Sequence, residues 1–202
     1  MTVEKRIEAF AKLGEFLSQF QPEGIIRNDA VAMNDLFFDP FHMQIKRASE
    51  FNGWFTRENV LTAFYKWSNI LNISNLNKWI SPYDLSNIQQ KKVGVIMAGN
   101  IPLVGFHDFL VVLISGHELI AKQSSSDSHF LPLIAKYLEY VEPEFKGLIT
   151  FTDEKLNLRK FIGFLIGFLG IVVLFMPDDF SLALVADWQS QLLLLENSHL
   201  LF

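Results

Sequence analysis

A chain of 202 residues, half of them hydrophobic, can bury a real core and need not be more than one domain plus an appendage. Its net charge of −5, with acids and bases mixed along most of the length, lacks the basic stripe of a nucleic-acid binder, and nucleic acid is not an expected partner. The absence of cysteine excludes disulfides, thiolate metal sites and a cysteine nucleophile supplied by this chain.

The opening stretch MTVEKRIEAF alternates charged and apolar residues without the apolar run of a secretory signal, so a cytoplasmic start is expected. Thr2 is placed to cap a first helix whose apolar positions Ile7, Phe10, Leu13, Leu17 and Phe20 follow helical spacing. QPEG at 21–24 ends it. Residues 29–50 are expected to be helical in part, interrupted at FDPF around Pro40. NGWFT at 52–56 reads as a turn leading to an N-cap at Thr56. The helix after it carries Val60, Leu61, Phe64, Trp67 and Leu71 on one side. NLNKWISPYD then brings the chain toward a sheet. Residues 1–90 read as a mostly helical lead-in without detectable chemistry.

The pattern changes at Lys92. VGVIMAG is a nearly continuous apolar run, suited to a strand buried on both faces. Pro102 stands where the first turn of a helix tolerates proline, and Leu103 to Ser115 is the expected helix. Gly116 is its C-cap glycine. ELIAK, 118–122, is the second strand. SSSD, 124–127, can cap a helix carrying Leu131, Ile134, Ala135 and Leu138 on one side, which stops before Pro143. GLITFT, 147–152, is a third strand. Strand, helix, strand, helix, strand implies a parallel sheet with right-handed crossovers over 91–157, a partial Rossmann-like α/β unit.

In an open α/β sheet, ligands bind at the carboxyl ends of the strands. Here those ends carry Gly99, Asn100 and Pro102 after the first strand, and Lys122 with Ser124, Ser125 and Ser126 after the second. Taken singly, each has an ordinary reading. An asparagine before x-Pro is a common turn residue, a lysine a strand-end charge, and a serine run an N-cap cluster. His107 and Asp108 are neighbours on a helix and point about 100° apart, which favours surface or capping roles. The histidines show no metal-ligand spacing.

Together, GNIP followed by L…G..L.AK.S resembles the first cofactor-binding crossover of the aldehyde dehydrogenase superfamily. VGVIMAGNIPLVGFHDFLVVLISGH and the earlier NGWFT are similar to the LuxC-type acyl-CoA reductases. The likeness covers about residues 1–155. It implies NADPH-dependent reduction of an acyl-CoA or other activated acyl group to an aldehyde, with the acyl group delivered as acyl-CoA, acyl-enzyme or by an acyl-transferring protein partner. It further implies that the Asn100 amide donates to the oxyanion of the reacting acyl group, a fixed donor where charge develops. Lys122 corresponds to the lysine that hydrogen-bonds the adenosine ribose. Where NAD-preferring relatives carry an acid three residues later, this chain has Ser125, which relieves repulsion of a 2′-phosphate and implies NADPH over NADH.

The resemblance stops after ITFTDEKLN. The Gly-Ser turn, the nucleophilic cysteine and the second domain of the family are not found downstream, and catalysis by this chain alone is not expected. Residues 161–202 hold four acids and no Lys or Arg. Phe161 to Met176 is sixteen uncharged residues, about 24 Å as a helix at ~1.5 Å per residue, against a hydrocarbon core of ~30 Å. Three readings of the atypical tail at 158–202 stand open. It belongs to a truncated or frame-shifted copy, it packs on the sheet, or it enters a membrane through 161–176. The matching alternatives for function are a non-catalytic nucleotide-binding remnant and a membrane-tethered interaction protein.

Overall fold

A computed structural model describes residues 1–153 apart from Ser86. The expectations for the tail, including 161–176, lie outside the described residues. Among those described, no helix is long and apolar enough to cross a membrane. Met1–Glu154 forms one compact unit of mixed α/β structure.

Helix α1 (Val3–Leu17) starts where the Thr2 hydroxyl accepts from the Lys5 amide, and it buries Ile7, Phe10, Leu13 and Leu17. Phe20, expected on that helix, instead lies in a two-stranded hairpin of β1 (Phe20–Gln21) and β2 (Gly24–Ile25), turning at Pro22-Glu23. Its ring is still fully buried. Helix α2 (Asn34–Phe51) runs through Pro40, against the expected interruption. Proline there removes the donor to the Leu36 carbonyl, but Leu36 and Pro40 are both on the exposed side of the helix, where solvent is available to that carbonyl. Helix α3 (Arg57–Ile70) is capped by Thr56, whose hydroxyl accepts from the Asn59 amide. Val60, Leu61 and Phe64 are buried on it. A short helix α4 (Ile73–Ile80), capped by Asn72, occupies what reads in sequence as a connecting stretch.

The second half alternates as expected: β3 (Lys92–Ile96), α5 (Phe106–Ile114), β4 (Glu118–Lys122), α6 (Phe130–Val141), a 3-10 turn at Pro143–Phe145, and β5 (Ile149–Thr152). The three strands are parallel in the order β3-β4-β5. Both crossovers step the same way along the sheet, so their helices fall on one face. Val93, Val95, Leu119, Ala121, Ile149 and Phe151 pack on that side, while Gly94, Ile96, Ile120 and Thr150 are exposed on the other. The expectation that β3 is buried on both faces is therefore corrected: its run is apolar throughout, yet Ile96 is 53% exposed.

The helical first half is not set apart from the sheet. Helix α1 packs on α3, α4, α5 and α6, and Phe10 meets Phe106 and Phe145 edge-on at 6.5 and 5.9 Å. Phe16, Phe20, Phe41, Phe64, Phe130 and Tyr137 join the two halves in one aromatic core, burial that supplies the main driving force for folding.

Candidate functional site

Register places the candidate residues together. Ile96 lies opposite Lys122, and the Met97 amide donates to the Lys122 carbonyl at 2.9 Å, the last rung before the chains part. The loop leaving β3 carries Gly99 and Asn100, and the loop leaving β4 carries Ser124 to Ser126. A Cβ on Gly99 would fall inside the Ser124 side chain and 3.1 Å from the Asp127 Cβ. The loops thus seat directly on each other, and only glycine permits it.

Asn100 is exposed at the rim, beside the exposed Ile101. Pro102 and Leu103 are buried beneath it. Helix α5 does not begin at Leu103 as expected. Leu103 adopts φ +59, in the left-handed region, and stacked turns follow, with Val104 donating to Ile101 and Phe106 to Leu103 before the helix starts at Phe106. Left-handed backbone at a leucine costs about 1–2 kcal/mol, which burial of the side chain offsets.

Lys122 is half-buried and forms no ion pair among the described residues. Ser125 and Ser126 are exposed, and Ser124 is half-buried. The serine run does not cap α6: the N-cap position is His129, without a side-chain cap bond. The Ser124 hydroxyl instead accepts from the Ser126 amide at 3.3 Å, a local turn. Among the described residues, no side chain therefore satisfies the first amides of the helix. His107 and Asp108 are an exposed pair 3.7 Å apart on the first turn of α5, where the His107 ring also meets Trp79. Among the described residues no group of three metal-ligating side chains gathers.

Compared with protein-family models, curated proteins and solved structures, the chain matches none.

Two residues at this edge escape a reading of the sequence. Asn52, from the NGW turn, donates through Nδ2 to the Gly99 carbonyl at 3.1 Å and to the Ser126 carbonyl at 3.4 Å. Its only signal was its place in a motif that reads as a simple turn. Asp127 is only 4% exposed, and neither carboxylate oxygen has a hydrogen-bond partner among the described residues. Burial pushes its carboxyl up to about 6, and the nearby Leu103 amide offsets this only in part, without closing a hydrogen bond to either oxygen. In sequence Asp127 looked like one more capping acid.

Proposed function

We propose that Met1–Glu154 contains part of the cofactor-binding unit of an NADPH-dependent acyl-CoA reductase of the LuxC type, Rossmann-like in its sheet, acting in the cytoplasm. The observation that carries this reading is that the loop bearing Asn100 seats on the loop that follows Lys122, with Gly99 against Ser124, at the ends of adjacent parallel strands. The donor set fits the adenosine end of the cofactor: a lysine without an ion pair among the described residues, exposed hydroxyls at Ser125 and Ser126, and the uncapped N-terminus of α6. Lys122 would hold the ribose, and Ser124 and Ser125 the region of the 2′-phosphate. Gly99 and Pro102 shape the turn that presents Asn100, whose amide would donate to an acyl oxyanion. NADPH supplies the hydride when bound.

These 202 residues contain no cysteine, so attack on a thioester requires a thiol from outside them. That same fact favours a second reading, a nucleotide-binding protein without catalysis. Titration of the protein with NADPH and NADH, followed by acyl-CoA turnover with and without a cysteine-bearing partner domain, separates the two. Binding without turnover under both conditions selects the second reading, and no binding of either nucleotide removes both.

A further inference from the structure

We propose that Asn52 is a positioning residue that locks the β3–α5 and β4–α6 loops into one register at the carboxyl edge of the sheet. As a claim about cofactor binding it rests on the reading of that edge as a nucleotide site. As a claim about the loops it stands on geometry.

Asn52 lies outside the crossover unit, 47 and 74 residues from the groups it holds. All of its polar groups are engaged. Its backbone amide donates to Ala48 at 3.2 Å and its carbonyl accepts from Phe55 at 2.8 Å. Oδ1 accepts from the Trp54 amide at 3.0 Å, which fixes the amide orientation and turns Nδ2 toward the two loop carbonyls. Each N–H of Nδ2 then serves a different loop. Asparagine is suited to this because it presents a donor and an acceptor on one short, rigid group. Aspartate would set a carboxylate against two carbonyl oxygens.

The tie matters because the loops touch where it acts. Gly99 has no room for a Cβ against Ser124, and Asp127 is buried between this contact and Leu103. Separation of the loops there would change the distance between Asn100 and the serine run and admit water to Asp127. Trp54, held on the same turn by its amide to Asn52 and its carbonyl to Asn59 Nδ2 at 2.8 Å, leaves its indole 72% exposed. The turn is thus braced on its own side, independently of the loops.

That independence supplies the control. Asn52→Ser keeps a hydroxyl able to accept from the Trp54 amide but cannot reach the loops. Asn52→Asp keeps the same acceptor and reverses the interaction with the carbonyls. Asn59→Ala weakens the turn and touches neither loop. Hydrogen–deuterium exchange on the full chain, with NADPH titration of each variant, is the test. Exchange over 97–105 and 123–128 should rise about tenfold in both Asn52 variants, and NADPH affinity should fall by about as much. Asn59→Ala should alter exchange near 52–59 and leave affinity within about twofold. Unchanged loop exchange in the Asn52 variants, or the same loop effect from Asn59→Ala, overturns the proposal. If the unmodified chain binds no NADPH, the cofactor reading fails and the exchange data decide the tie by themselves.

Discussion

The guanidinium of Arg6 donates to the carbonyl of Ile114 at 2.7 Å, so the first helix of the chain supplies a cation to the C-terminus of α5. That is the negative end of the helix dipole. Arg6 is 4% exposed and also donates from Nε to the Thr2 carbonyl at 3.2 Å. Burial lowers its pKa without removing its charge at neutral pH. The helix itself ends as a Schellman motif: the Gly116 amide donates to Leu113 and the His117 amide to Val112, with Gly116 at φ +91.

The close approach of Gly116 to Arg6 makes the two positions interdependent. A Cβ at Gly116 would overlap Nη1 of Arg6, in a conformation that already disfavours one. Gly116→Ala should destabilise by about 2 kcal/mol or more. Arg6→Met should lose about 1–3 kcal/mol, because the Ile114 carbonyl is left without its donor. The double variant should lose less than the two single losses added, since removal of the guanidinium makes room. Urea midpoints of the four proteins measure this, and strict additivity would contradict the geometry.

Asp127 should give stability a pH dependence of defined sign. Its folded pKa of about 6 lies above the ordinary 3.8, so between these values the folded state binds the extra proton. The associated stability is present below pH ~4 and is lost as pH rises to ~6. A difference of about two pKa units corresponds to roughly 3 kcal/mol. Asp127→Asn should therefore be more stable than the parent above pH 6 and should flatten the thermal midpoint between pH 4 and 6. Parallel curves for the two proteins across that window would place Asp127 in solvent.

Tyr137 is fully buried, and its hydroxyl lies 3.1 Å from the carbonyls of both Lys12 and Ala32. It ties α6 to the end of α1 and to the segment before α2. Burial pushes its pKa far up, so the hydroxyl remains a donor at every accessible pH. Tyr137→Phe keeps the ring contacts with Phe16 and Phe37 and should lose about 1–2 kcal/mol. Calorimetry checks the figure, and an unchanged midpoint would mean water serves those carbonyls equally well.

Ser125 is exposed in the loop after β4, and under the proposed nucleotide reading an acid there would face the 2′-position. Ser125→Asp should shift the NADPH-to-NADH affinity ratio by about tenfold or more toward NADH through repulsion of the 2′-phosphate. Paired titrations at one ionic strength measure the ratio. An unaltered ratio would take Ser125 out of the nucleotide site.

Much of the chain was legible because its signals are local. The alternation of β3, α5, β4, α6 and β5 follows from short apolar runs punctuated by Gly116 and Pro143, and the Thr2 and Thr56 caps are each complete within three residues of sequence. The placement of Asn100 and Lys122 at neighbouring strand ends follows from that alternation and from parallel pairing. Other features depended on what surrounds a residue. Pro40 reads as a helix breaker until its face is known to be exposed, and VGVIMAG reads as doubly buried until both crossover helices fall on one side. Leu103 enters the left-handed region because tertiary burial outweighs a local backbone cost that propensity alone would respect. The chain order determined which residues stand at the carboxyl edge of the sheet. Only the folded structure decided that Asn52 ties two loops so far from it in sequence, and that Asp127 is enclosed without a partner among the described residues. Hydrogen bonds across such separations and the desolvation of a carboxylate are properties of assembled neighbours, which no period or motif in the chain encodes.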